Sequence, residues 1–233
     1  MKCLIDGDLL PYRIGFTTED VDVNIAVWRL KTLIDDILDA CEADDYCIYL
    51  SSEDKSNFRY EVAQDYKANR TSPKPRHYYS LRNHIINNYK HEIVFGMEAD
   101  DALGIAQNEN TIIVSIDKDL NQVPGKHYNF VKKEHYVVSE LEGLQWFYQQ
   151  LLMGDKGVDN IEGIYGIGPK KAYAAIAHLE TEEEMYEKAL GMWADAHPDD
   201  YQERIIKAGQ LLKIRQSEKE GLWQPPKIDT AQD

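Results

Sequence analysis

Met97-Glu98-Ala99-Asp100-Asp101 opens a stretch that runs through an apolar helical segment to Thr111-Ile112-Ile113-Val114 and ends at Ser115-Ile116-Asp117-Lys118-Asp119. Three acids stand at a helix start, and two more follow a β-branched run that reads as a buried strand. Five carboxylates are thereby expected at one edge. Two like charges about 4 Å apart repel by roughly 4 kcal/mol at an effective dielectric of about 20. Such a cluster calls for cations, and a divalent-metal site is the first expectation.

The same pattern of an element followed by acids recurs on both sides of this stretch. Lys2-Cys3-Leu4-Ile5 reads as a first strand that breaks at Asp6-Gly7-Asp8. Asp45-Tyr46-Cys47-Ile48-Tyr49-Leu50 reads as a second, ending in Ser51-Ser52-Glu53-Asp54. Acids just past the carboxyl ends of parallel strands lie where open α/β sheets bind ligands. Between the two strands, apolar residues from Ile25 to Leu38 keep helical spacing within Asn24 to Cys41. Tyr128 to Val131 and Tyr136 to Val138 read as an edge hairpin, and Glu140 to Met153 as an amphipathic helix. That helix leads into Gly154-Asp155 and Asp159-Asn160, a further acid pair at an element end.

Residues 55–90 differ in character. They carry Lys55, Arg59, Lys67, Arg70, Lys74, Arg76, Arg82 and Lys90 against Glu61 and Asp65, with five tyrosines interleaved, Tyr66 among them. Bases that track phosphates beside rings that stack on unpaired bases describe a single-strand nucleic-acid surface. A solvated helix with inward tyrosines is the competing reading. Thr71-Ser72-Pro73-Lys74-Pro75 cannot continue a helix, so a loop or broken arch is expected. Further on, Gly166-Ile167-Gly168-Pro169-Lys170-Lys171 places paired glycines, a proline and two lysines at a helix start. Outward N–H groups there suit a phosphate oxygen, and the pattern reads as a helix-hairpin-helix that grips duplex backbone. Glu180 to Lys219 reads as helical, and the end beyond Trp223 as a loose tail.

Composition sets the bounds. The chain has 233 residues and is 43% hydrophobic, enough for a sizeable core. Cys3, Cys41 and Cys47 form no CxxC pair, and no apolar run approaches the roughly 20 residues of a membrane span. A cytoplasmic protein without membrane contact, working as a monomer, is expected. The net charge of −15 argues against phosphate binding overall. The bases are local, however, and the acids are partly accounted for if they hold metal.

Asp6, Asp54, Glu98, Asp100, Asp101, Asp117, Asp119, Asp155 and Asp159 all fall at element ends. An oxygen-only set suits Mg²⁺ or Mn²⁺ and argues against zinc. Two such ions can activate water and stabilise the leaving oxygen of a phosphodiester.

The runs Glu98-Ala99-Asp100-Asp101, Asp117-Lys118-Asp119-Leu120, Gly154-Asp155 with Asp159-Asn160, and Gly166-Ile167-Gly168 resemble, in order, the motifs of the flap endonuclease/5′-nuclease family. The likeness covers nearly the whole chain. Its later half, with Ile206 to Gln210 and Gly221-Leu222-Trp223, looks most like the exonucleases of short-tailed phages. The resemblance implies an α/β fold: a PIN-like, mostly parallel sheet flanked by helices, with a helical arch and a C-terminal helix-hairpin-helix (helix-3-turn-helix) region. Expected domains are a nuclease domain over 1–153 with a basic insert at about 55–90, a DNA-binding region over 154–223, and a tail over 224–233.

It also implies an activity, metal-dependent 5′→3′ exonuclease action on duplex DNA with 5′-flap endonuclease ability. The implied partners are duplex DNA with a 5′ end or flap, an RNA-DNA hybrid, and replication proteins. The implied roles are phage DNA replication, RNA primer removal or recombination. Tyr66-Lys67-Ala68-Asn69-Arg70 matches the family's arch motif, in which Lys67 and Arg70 would contact the scissile phosphate and Tyr66 would stack on the terminal base. Arg59, Lys74 and Arg76 join them as DNA contacts, with Gly166, Gly168, Lys170 and Lys171 at the hairpin. Two Mg²⁺ or Mn²⁺ are implied, with Asp119 and Asp155 on the second, and a potassium ion at Gly166 and Gly168. Three departures stand out. Asp155 and Asp159 are separated by three residues where the family commonly has two; Glu53 competes with Asp54; and Asp8, in place of a small polar residue, is placed outside the ligand set. Two other functions stay open: an RNase acting on RNA-DNA hybrids, and a non-catalytic binder of branched-DNA junctions.

Overall fold

The computed structural model describes residues 1–54 and 56–227. Lys55 of the basic insert and residues 228–233 of the expected tail lie outside them. In chain order the elements are β1 (Lys2–Asp6), α1 (Leu9–Phe16), α2 (Val23–Ala40), β2 (Asp45–Ser51), α3 (Arg59–Val62), α4 (Tyr78–Asn88) and β3 (His91–Val94). They continue with α5 (Ala99–Ala106), β4 (Thr111–Val114), β5 (Gly125–Asn129), β6 (Glu134–Val138), α6 (Glu140–Met153), α7 (Pro169–Ile176), α8 (Glu182–Ala196) and α9 (Tyr201–Leu212). Two compact units result: Met1–Asn57, Ser72–Val138 and Arg215–Glu218 form one, and Phe58–Thr71, Ser139–Ile214 and the described residues from Lys219 onward form the other.

The first unit is a mostly parallel sheet flanked by helices, in the order β3-β2-β1-β4-β5-β6. All neighbours run parallel except the β5–β6 hairpin. Lys-Cys-Leu-Ile-Asp and Thr-Ile-Ile-Val are buried almost throughout, as parallel strands covered on both faces must be. Ile5 pairs with Ile48 on one side and Val114 on the other, so Asp6, Ser51 and Ser115 come to one edge. Strand order reverses between β1 and β4, and ligands of open α/β sheets enter at such a reversal. The side chain of Asp22 caps α2 through the Asn24 N–H at 2.8 Å. Ala26, Leu30, Ile34 and Ile37 then face the core at helical spacing.

His127 is buried on β5, stacked on Tyr136, with Nε2 2.7 Å from the Val123 carbonyl. A carbonyl only accepts, so Nε2 carries the proton. Burial lowers the His127 pKa below its usual 6.5, against the Val123 bond. The unfolded chain therefore takes up the proton first as the medium acidifies. Stability from this site is complete above pH 6.5 and is lost as pH falls through the lowered folded value. Asp6, whose folded carboxyl is pushed up to about 7, titrates in the same window with the opposite sign, so the His127 contribution is read as a difference. Between pH 7.5 and 5.5 the urea midpoint of His127→Gln should rise relative to that of the wild type.

The second unit packs α3 and α6 to α9 around fully buried Phe147, Tyr148 and Trp193. Ser139 with Glu142, and Thr181 with Glu184, form capping boxes at the starts of α6 and α8. The sequence places Glu140–Met153 with the first region; here α6 packs against α7, α8 and α9. The helical reading to Lys219 is also too long, since α9 ends at Leu212. Beyond it Trp223 folds back over Gly209, where an added Cβ would meet the indole at 2.1 Å. Gly209→Ala should therefore cost about 1–3 kcal/mol by overpacking, read as a lower urea midpoint.

Candidate functional site

At the carboxyl edge of the parallel sheet, Asp6 ends β1 and is buried. Its Oδ2 accepts from Ser115 Oγ at 2.7 Å, and its Oδ1 from the Asp8 N–H at 3.2 Å. Burial and the Asp8 charge push its carboxyl up to about 7 despite the Ser115 bond, and Asp117 adds to the rise. Burial likewise raises Asp8, whose oxygens lie 3.1 Å from the Ser51 N–H and 3.4 Å from Arg82 Nη1; the charge of Glu98 adds to it. Beyond β4, the Asp117 N–H donates to Ser115 Oγ at 3.0 Å, and Asp117 Oδ1 accepts from the Asp119 N–H at 2.9 Å. Asp8 and Asp117 thus repel Asp6, and Glu98 repels Asp8, beside the β1/β4 reversal, with buried Arg82 as a counter-charge to Asp8.

The other expected ligands divide. Glu98 and Asp101 cap α5: the Glu98 N–H donates to Asp101 Oδ2 at 3.0 Å, and the Arg215 N–H to Asp101 Oδ1 at 3.1 Å. Asp101 is fully buried with both oxygens engaged by backbone, so the expected convergence of five carboxylates gives way to a cap beside a cluster. Asp100 and Asp119 are half-buried. Asp54 is exposed in a turn closed by the Ser56 N–H at 2.9 Å, and the Ser56 bonds hold its carboxyl below the usual range. Glu53, the competing residue, pairs with Lys74 at 2.6 Å.

Among the described residues no three acidic, histidine or cysteine side chains are drawn into a ready-made ion cage. The donor chemistry still fits a hard dication, because buried Asp6, half-buried Asp8, Glu98 and Asp117, and two seryl hydroxyls supply only oxygen. Asp8, Ser51, Ser115 and Arg82 are the members that reading the chain in one dimension missed or set aside. Asp8 had a visible signal, a second acid two residues after Asp6.

In the second unit, Asp155 and Asp159 lie on a loop closed by the bridge from Asp155 to Ile161. Asp159 is buried against Tyr66, Lys67 and Arg70. Two expected DNA contacts are corrected. Arg59 is 3% exposed and donates to the carbonyls of Leu211 at 2.7 Å and Lys213 at 2.9 Å, closing the end of α9. Tyr66 is 4% exposed, edge-on to Tyr60, so its ring is core and not a stacking platform. In the first unit, Lys74 also lies over the Tyr78 and Tyr79 rings, and Arg76 donates to the Glu19 carbonyl at 3.2 Å.

The hairpin of the second unit is exposed over most of its length. Gly166 has φ +78, a conformation open to glycine, and Gly168 caps α7 ahead of Pro169. Lys170 and Lys171 occupy the first turn, with Lys171 Nζ donating to the Gly166 carbonyl at 2.9 Å. A monovalent ion there would share that oxygen with an ammonium group. Tyr165 is wholly exposed beside them.

Residues 1–149 match the protein family described as 5′-3′ exonuclease, N-terminal resolvase-like domain. The chain is 27% identical over 209 residues to a 5′-3′ exonuclease of Buchnera aphidicola subsp. Schizaphis graminum, an alignment covering 78% of this chain and 72% of that one. It is 31% identical over 210 residues to DNA polymerase I of Bacillus caldotenax, covering 77% of this chain and 24% of the polymerase. The solved T5 5′-exonuclease with bound zinc superposes with a TM-score of 0.63 at 18% identity, over 91% of this chain and 95% of that one. A bacteriophage T5 flap endonuclease in a pseudo-enzyme-product complex with DNA and metal ions gives 0.60 at 16%, over 91% and 98%. The two superpositions establish likeness of fold.

Proposed function

Because the chain belongs to the 5′-3′ exonuclease family with the resolvase-like N-terminal domain, we propose that it is a metal-dependent 5′→3′ nuclease of duplex DNA that also cuts 5′ flaps. The observation that carries this reading is the set Asp6, Asp8, Glu98 and Asp117, crowded at the carboxyl edge of a parallel sheet inside the matched segment. Mg²⁺ or Mn²⁺ held there would supply activated water and charge neutralisation for phosphodiester hydrolysis. Ser115 fixes the Asp6 carboxylate and the Asp117 backbone together, and Ser51 with Arg82 fixes Asp8. Asp6, Asp8 and Asp117 are thus held by protein donors.

The hairpin of Gly166 to Lys171 is proposed to hold duplex backbone through outward N–H groups and Lys170. Lys67 and Arg70 are proposed to stabilise charge on the cleaved phosphate. Primer removal during phage replication, including RNA in an RNA-DNA hybrid, belongs to the same reading. The test is digestion of a 5′-labelled flap and a blunt duplex side by side with Mg²⁺, one arm carrying a 5′-RNA tail. Short 5′ products are expected from the duplex and a released flap from the other. An absence of 5′ degradation under both Mg²⁺ and Mn²⁺ sinks the reading.

A further inference from the structure

The longer gap between Asp155 and Asp159 has a counterpart in the second unit. Asp159 Oδ1 accepts from Arg70 Nε at 3.0 Å and Nη2 at 2.5 Å. Its Oδ2 accepts from Tyr66 Oη at 3.1 Å, with Lys67 Nζ at 3.8 Å. Both oxygens are thus taken by donors, two of them cationic, and the residue is only 9% exposed. The backbone closes the same contact: the Lys67 N–H donates to the Asp159 carbonyl at 2.9 Å while Lys67 sits at φ +58, a conformation that needs such support. On the flanks, Asn69 Nδ2 donates to the Lys156 carbonyl at 2.5 Å, and Asn160 Nδ2 to Asp65 Oδ2 at 2.9 Å.

We propose that Asp159 is a positioning residue, the counter-ion that holds Lys67 and Arg70 in place, and not a ligand of a divalent ion. A dication at this carboxylate would have to displace the Arg70 fork or sit beside two positive charges, and either is unfavourable in a partly desolvated site. The extra residue in the loop leaves Asp155 alone to carry the metal-binding expectation of the late acid pair. The proposal rests on the nuclease reading only where turnover is measured.

Mn²⁺ binding to the full chain without DNA, counted from the paramagnetic resonance of free Mn²⁺, separates the roles. Asp159→Asn should bind the same number of ions within twofold of wild-type affinity. One ion fewer, or tenfold weaker binding, overturns the proposal. Unfolding supplies the second measurement. Arg70→Gln and Asp159→Asn should each raise the unfolding constant about tenfold, with the double variant no less stable than the worse single; multiplying effects overturn it. In nuclease assays Asp159→Asn should lose tenfold or more in kcat while the Mn²⁺ concentration giving half-maximal rate stays within twofold. A shift of that concentration by tenfold overturns it. If the wild type cuts no DNA, the nuclease reading fails and the binding and unfolding measurements still decide the role of Asp159.

Discussion

Asp6→Asn is expected to lower 5′-end cleavage by about a thousandfold while the protein melts at a higher temperature without metal. The two effects share one cause. Asp6 is 2% exposed and lies within the fields of Asp8 and Asp117, so its negative charge is unfavourable unless a cation faces it. Asparagine keeps the shape and an acceptor for Ser115 Oγ and removes one like charge, at the cost of the long 3.2 Å acceptance from the Asp8 N–H, which then faces an amide NH2. About 1–2 kcal/mol of relief is a modest fraction of the pair repulsion at an effective dielectric of about 20. A chain of this size gains about 2–4 °C in Tm for each kcal/mol. Several kcal/mol of transition-state stabilisation by a bound metal corresponds to about three powers of ten in rate. Mg²⁺ should raise the wild-type Tm by mass action and raise that of Asp6→Asn much less. Calorimetry with and without Mg²⁺, beside a duplex digestion, reads both halves. A variant that cuts at the wild-type rate, or that melts lower in the absence of metal, removes Asp6 from the centre of the site.

Such opposed effects mark the places where the sequence was legible. Lys2 to Ile5 and Thr111 to Val114 are unbroken apolar runs ending in acids, and burial on both faces of a parallel sheet writes that signal directly. The fold class and the edge carrying Asp6 and Asp117 follow from it. Ser51 and Ser115 leave no such mark. A serine at a strand end is ordinary until the register of β1 with β2 and β4 sets it beside Asp6 and Asp8. Other elements leave as little trace. Helix α1 is short and carries Pro11 in its first turn, and β3 is a four-residue strand without a fully buried face.

The basic insert shows the opposite failure, a strong signal with an undetermined direction. Composition records that Arg59, Tyr66, Lys67 and Arg70 are close in sequence, but not which way each points. The turn over residues 64–69 sends Tyr66 inward and leaves Arg70 half-exposed on Asp159. Acids at a helix start serve the backbone as readily as a metal, and Asp101 accepts from two backbone N–H groups, a use that its place in the sequence does not distinguish from metal binding.

Arg59→Ala is the sharpest test of that correction, with an expected loss of about 3 kcal/mol in stability and no loss of DNA affinity. The last carbonyls of a helix lack partners within it. Arg59 supplies them from α3 through bonds of 2.7 Å to Leu211 and 2.9 Å to Lys213, and its guanidinium lies 4.6 Å from the centre of the Phe58 ring. Alanine removes both charge-assisted bonds, one of them buried, each worth about 1.5–3 kcal/mol before relaxation. Its Tm should therefore fall by about 6–12 °C. A residue that touches phosphate behaves otherwise: removing it weakens binding on every sequence and reduces the salt slope by about one. Measured well below its melting point, Arg59→Ala should keep the wild-type slope of log affinity against log salt. A reduced slope with unchanged Tm would return Arg59 to the DNA surface, while the expected pair of results makes it the residue that fastens α3 to the end of α9.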